Sequence, residues 1–341
     1  METYKAIFFS IYLIVVFIVF TPIKSKLHSY ALSFLLIALI ILHTIYTPGG
    51  FDYGVYDYHV KYEINTFTFS ELFKFYSSEV YIYPFFKLAA FFNIGFQYFY
   101  GISVIILTFL LLHFPGDIPV KRLKLAFIAL LVSPASPFLL GNTIRQGLVS
   151  LFVLGVIGQM IQGQKVKLLL LYFSGSLFHK TIFLVLLPIV KYKKYIFGVL
   201  IFALFIAFFS TSISQSIVAF FVSTFLDYHA DQKFSIMSLF IRMFIFLIPV
   251  LLSFFAINNT EVNKKIGVIL MFIIAMTFVF WMFSGKAANR FSYYLAPISI
   301  AYVLHKVELK YMGYVVLVNV LISVLMIIFG KFDQLWLHIQ H

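Results

Sequence analysis

Apolar residues gather along this chain in long blocks, and polar residues are confined to the gaps between them. The blocks fall near 6–21, 29–46, 98–113, 125–140, 146–161, 195–210, 237–256, 266–283, 290–304 and 312–330. A transmembrane helix needs about 20 mainly apolar residues, so the pattern predicts an all-α polytopic membrane protein with about ten spans. Two stretches break the pattern. Residues 47–97 are aromatic and mildly charged, which predicts a polar loop followed by interfacial helices over 70–97, where tyrosine and phenylalanine belts sit. Residues 168–190 are long enough for one span, but "SGSLFHKT" interrupts them in the middle. A His-Lys pair at the bilayer centre is costly, so a re-entrant or short helical hairpin is expected there.

Positive charge orients the spans. With 168–190 taken as a hairpin, one face receives fourteen of the 25 basic residues and three of the 12 acidic ones. A single span at 168–190 would scramble that asymmetry after Lys167. The basic face is therefore expected to be cytoplasmic, with both termini outside. The elements 47–97, 141–146, 178–181, 211–236 and 284–290 then share the outer face.

Composition sharpens this picture without changing it. The chain is 62% hydrophobic and 11% charged, against about 25% charged in a soluble domain. No polar stretch is long enough to fold alone, so residues 1–341 are expected to form one transmembrane domain. The first block lacks a small-residue cleavage site and is expected to be a retained helix. The formal charge of +13 is explained by topology-setting loops rather than by nucleic acid. Cysteine is absent, which excludes disulfides and thiolate chemistry.

The chemistry gathers at the outer mouth. The chain has four arginines, and only Arg122 falls in a cytoplasmic loop. Arg145, Arg242 and Arg290 each open an apolar block. A guanidinium binds phosphate oxygens in a bidentate way and never loses its charge. Arg145 and Arg290 are also expected at helix N-termini, where free backbone N–H groups and the helix dipole favour an anion. Snorkelling to lipid headgroups is the plain alternative, and the predominance of lysine elsewhere weighs against it. His179, beside Lys180 at the hairpin tip, is a candidate base or oxygen ligand; a hydrogen-bonded histidine steadying a broken helix is the alternative. Asp52 and Asp57, with Tyr53, Tyr56, Tyr58 and His59, form an aromatic and acidic knot suited to sugar rings and hydroxyls, or an ordinary interfacial loop. "DYHAD" at 227–231 is a weak metal pattern. No nucleotide-binding glycine loop and no Ser-His-Asp spacing is present, so a sugar donor is expected to be carried on lipid.

In order, these residues resemble the EpsG family: Gly50, Asp52 and Tyr56 in the first outer loop, "IRQGL" at 144–148, "FHKT" at 178–181 and "NRFSYY" at 289–294. The family comprises Wzy-type polysaccharide polymerases of bacterial envelopes, and many relatives place an Arg just before the Gly-Asp of the first loop. Here that stretch is "IYTPGGFDY"; Lys61 or Arg242 is the candidate replacement. The resemblance implies a GT-C-like architecture in the inner membrane. It implies transfer of a growing glycan from undecaprenyl pyrophosphate to the next lipid-linked repeat unit at the periplasmic face, in O-antigen or capsule and exopolysaccharide synthesis, with no cofactor or metal. A chain-length regulator and a flippase are the partners it suggests, besides the lipid-linked oligosaccharide and membrane lipids. On this basis Arg145, His179 and Asp52 are the candidate catalytic residues, and Arg290, Arg242, Gln146, Tyr56, Asp57 and Tyr294 the candidate substrate contacts. Three rivals are weighed. A flippase or transporter requires polar groups deep in the membrane, whereas here they gather at one mouth. A membrane acyltransferase would face the cytoplasm. An O-antigen ligase usually carries a larger late outer loop than 211–236.

Overall fold

The computed structural model describes residues 2–21, 25–45, 56–71 apart from 65 and 69, 82–113, 119–141, 144–161, short pieces between 170 and 182, 236–253, 261–283, 285–306 and 309–330. The predicted block 195–210, the loop 211–235, Asp52 and most of the 168–190 hairpin lie outside the described residues. The regular elements described are all helical, as the block pattern predicts. The chain divides into two compact units, residues 1–179 with 307–341 and residues 180–306.

The first unit is a helical bundle. Helices α1 (Glu2–Phe20), α2 (Ser25–Thr44), α4 (Phe96–His113) and the C-terminal helix (Leu309–Ile328), here α12, are long and apolar enough to cross a membrane. Their outward faces stay greasy: Leu13, Phe17, Phe34, Ile106 and Leu325 are all exposed, the pattern expected of side chains bathed in lipid rather than water. Between them come α3 (Ile82–Phe91), α5 (Val120–Leu131), α6 (Ser136–Gly141) and α7 (Ile144–Ile161). A single π-helical turn, His59–Glu63, precedes α3. Asn93 takes a left-handed conformation (φ 50°) after α3, a helix stop that asparagine tolerates, and the chain turns directly into α4.

The predicted block 125–140 is not one helix. It breaks after Leu131, where Ser133 precedes Pro134, and restarts at Ser136 with Pro137 in the first turn of α6. Proline disfavours helix at the residue before it and suits a first turn. The break would strand α5's last carbonyls in an apolar core. Instead, Asn319 Nδ2 donates to Ala129 O (3.2 Å), Ser136 Oγ to Leu130 O, His43 Nε2 to Leu131 O (2.6 Å) and Ser323 Oγ to Val132 O (2.7 Å). Four consecutive carbonyls thus find side-chain partners, three of them from α2 and α12.

The second unit contains α8 (Ile236–Ser253), α9 (Glu261–Phe283), α10 (Gly285–Ser292) and α11 (Leu295–Lys306). The predicted block 290–304 is likewise divided, because the chain turns at Tyr293 and Tyr294. Arg290 therefore stands in the last turn of α10, not at a helix N-terminus as the sequence predicts. A cation is favoured there by the helix dipole, but the free N–H groups expected to accompany it are absent.

Candidate functional site

In the first unit, Arg145 is the second residue of α7, as the sequence predicts. Its guanidinium lies 5.7 Å from the centre of the Tyr56 ring, within cation–π reach. Tyr56 is buried, and its ring rests on an aromatic floor. Phe86 lies 5.2 Å away and Phe96 6.2 Å away, these two rings meet edge-on at 5.2 Å, and Phe96 stacks on Tyr100 at 6.0 Å. The floor is built on α3 and α4. Helix α4 in turn sits tightly on α2: a Cβ placed at Gly101 would lie 2.8 Å from Thr44 Oγ1.

The first turn of α7 is fixed by a closer contact. A Cβ at Gly147 would lie 2.2 Å from the Leu139 carbonyl oxygen of α6, nearer than real atoms approach, so only glycine fits. Glycine here costs helix stability and allows α6 and α7 to touch backbone to backbone. That contact sets the position of Arg145 and of Gln146 beside it. Gln146 is buried, and neither atom of its side-chain amide has a hydrogen-bond partner among the described residues. An unsatisfied buried amide costs roughly 1–3 kcal/mol per group.

Asp57 follows Tyr56 and is half-buried. Its carboxylate accepts a 2.6 Å ion-pair hydrogen bond from Lys61 one turn on, and this bond holds the Lys61 ammonium above its ordinary pKa. The candidate sugar acceptor and the candidate substitute cation are thus engaged with each other. His179 is buried, and its backbone N–H donates to Gly175 O at 3.2 Å; the residues flanking it lie outside the described set, as does Asp52.

In the second unit, Arg242 stands two turns into α8, half-buried, with its guanidinium 5.4 Å from the centre of the Tyr293 ring and Nη1 donating to the Tyr293 hydroxyl at 3.4 Å. Phe246, one turn on, also meets that ring at 5.9 Å. Arg290, half-buried at the end of α10, lies three residues before Tyr293. Tyr294, named from sequence as a substrate contact, is fully buried and packs edge-on against Phe291 at 5.8 Å. The neighbouring tyrosine is the one that meets the arginine. Sequence offers no means of choosing between adjacent tyrosines at a helix junction.

Both units therefore lay an arginine on a tyrosine ring. Each also has a buried amide atom without a hydrogen-bond partner among the described residues, on Gln146 in the first and Asn289 in the second; the first adds a helix start and an aromatic floor. The family model of the EpsG family matches residues 29–340. The chain belongs to the EpsG family. This is a family of Wzy-like polymerases, and its match covers nearly the whole chain, including every candidate residue. The membership carries a polysaccharide-polymerase type of function and a membrane-embedded setting. No curated protein and no solved structure matches the chain.

Proposed function

We propose that this EpsG-family protein polymerises a lipid-linked glycan at the periplasmic face of the inner membrane, and that Arg145 stabilises the departing lipid pyrophosphate. The acceptor is a sugar hydroxyl at the non-reducing end of the next undecaprenyl pyrophosphate-linked repeat unit. Its oxygen forms a bond to the anomeric carbon of the donor glycan. The bond from that carbon to the pyrophosphate oxygen breaks, and the pyrophosphate leaves with the electron pair. The acceptor proton passes to a base, for which Asp52 and His179 are the candidates.

The observation that carries this assignment is the setting of Arg145. Negative charge grows on the leaving oxygen in the transition state, and preorganised cations and N–H dipoles in a partly dry site stabilise it with little reorganisation. Arg145 brings a permanent charge, its place in the first turn of α7 is where a helix favours an anion, and the Tyr56 ring lies against the guanidinium. Gln146 beside it has a donor and an acceptor to offer to substrate. Arg242 and Arg290, on the second unit, are the candidates for a further anionic group, such as the acceptor's own pyrophosphate.

The test is a reconstituted reaction. Purified protein in lipid vesicles is given a lipid-linked repeat unit, and product length and released lipid pyrophosphate are measured together. The expected result is one pyrophosphate released per linkage formed, with both lost together in Arg145→Ala. Glycan lengthening by Arg145→Ala at the wild-type rate would remove the role assigned to it. A single cysteine at the exposed Tyr58 tests the face. Labelling by an impermeant maleimide in intact cells is expected, and labelling only after lysis would overturn the orientation.

A further inference from the structure

The polar side chains that cap the broken end of α5 stand in apolar helices where no charge or substrate is expected. We infer that His43, with Asn319 and Ser323, is a positioning residue for Arg145, acting through the α5–α6 break. This rests on the role given to Arg145 above.

The connection is continuous in the structure. His43, near the end of α2, donates from Nε2 to Leu131 O at 2.6 Å. A carbonyl can only accept, so Nε2 carries a proton; Nδ1 is buried and without a partner among the described residues. The Phe8 ring packs against the imidazole in an edge arrangement at 5.7 Å. From α12, Asn319 and Ser323 hold Ala129 O and Val132 O on either side. Helix α6 begins four residues after Val132, and its Leu139 carbonyl lies against Gly147, two residues from Arg145. A shift of the α5 end is therefore passed through α6 to the start of α7. The other half of the site hangs from the same place: Thr44, next to His43, touches Gly101 of α4, and α4 carries Phe96 and Tyr100 under Tyr56. The His43–Leu131 bond thus ties α2, against which the floor helix α4 packs, to the end of α5, which leads into the α6–α7 pair bearing the arginine.

These bonds satisfy carbonyls that the break would strand, and the place they fix is the one from which α6 starts. Polar groups inside a membrane helix are costly, and an apolar residue with an unbroken α5 would serve stability better. Displacing a charge-stabilising group by about 1 Å costs up to a hundredfold in rate, so the caps have a catalytic effect to exert at a distance.

The experiment uses full-length protein in vesicles and two variants of the same position. Gln places an amide nitrogen near where Nε2 stands, whereas Leu keeps the volume and loses the donor. His43→Leu is expected to lower the polymerisation rate roughly ten- to a hundredfold, and His43→Gln to restore it to within about threefold of wild type on the same argument. In an Arg145→Ala background, His43→Leu should cause no further loss. The absence of cysteine allows a second readout that needs no activity. In Arg145→Cys protein, the maleimide labelling rate should change with His43→Leu and return with His43→Gln. The inference is overturned if Leu matches wild type, if Gln is no better than Leu, or if the labelling rate at 145 is unmoved. It is also overturned if His43→Leu lowers the rate equally with and without Arg145. If Arg145→Ala polymerises normally while labelling at 145 still responds to His43, the mechanical coupling stands and the role of Arg145 fails.

Discussion

Two arginine–tyrosine pairs, one in each unit, look alike in isolation and differ in what surrounds them. Arg145 lies over Tyr56 at 5.7 Å and Arg242 over Tyr293 at 5.4 Å. Arg145 stands in the first turn of its helix, where N–H groups have no intrahelical partner. Arg242 stands deeper in α8, where backbone donors are already committed to the helix, and it also donates to the tyrosine hydroxyl. The first pair stands at a helix start, and the second adds a hydrogen bond from guanidinium to tyrosine hydroxyl. A guanidinium on an aromatic ring is a holding device; its use depends on the backbone beside it.

The comparison breaks most sharply at Arg145. Arg145→Ala should lower polymerisation by a hundredfold or more, the scale of removing a transition-state donor. Arg145→Lys should recover only part of it, because an ammonium lacks the planar fork. Arg242→Ala should cost clearly less, and Tyr293→Phe, which keeps the ring and loses only a long hydrogen bond, should leave the rate within about threefold of wild type. Steady-state rates of the four variants in vesicles check this order, and equal losses at Arg145 and Arg242 would erase the distinction.

Two glycines extend the contrast to stability. Gly147→Ala must push α7 off the Leu139 carbonyl and should lower thermal stability by several degrees, with loss of activity. Gly267→Ala in the second unit meets nothing nearer than Tyr302 at 3.9 Å. It should be neutral or stabilise by up to about 1 kcal/mol, because alanine is the better helix former. Thermal unfolding in detergent separates the two.

The smallest expected effect is at the Asp57–Lys61 pair. The folded Lys61 pKa is raised by Asp57, so the pair's contribution is fully present at neutral pH. It is lost only as pH rises past the ordinary lysine value of about 10.4 through the raised one. The pair is exposed on its lysine side, so Lys61→Gln should cost about 0.5 kcal/mol or less. A larger loss in unfolding free energy at pH 7 would show that the pair does more than brace its turn.

Much of the fold was legible because apolar blocks in a membrane chain have few alternatives. The bounds of α1, α2, α4, α7, α9 and α12 follow the predicted blocks within a few residues. The errors fell where block length outweighed local chemistry. "SPASP" at 133–137 carried the helix break openly, yet the apolar residues on both sides read as one span. "NRFSYYL" likewise concealed a helix end, and with it the misplacement of Arg290 at a helix start. At the site, Arg145 stood out because a rare arginine opened an apolar block. Its floor did not, because nothing marks Phe86 and Phe96 among 45 phenylalanines; only the three-dimensional path of α3 and α4 selects them. His43 and Asn319 did carry a signal, as isolated polar residues in apolar blocks. Their partners, however, are backbone carbonyls, which no sequence pattern displays.

The most direct measurement is a glycan ladder from cells. The gene is deleted in its host, and wild-type or Arg145→Ala protein is returned at matched membrane levels. The surface polysaccharide is then resolved by length. Single repeat units are expected in the deletion strain, a full ladder with wild type and single units again with Arg145→Ala. A full ladder with Arg145→Ala would contradict the claim that this arginine drives the departure of the lipid pyrophosphate, and a ladder unchanged by the deletion would contradict the polymerase itself.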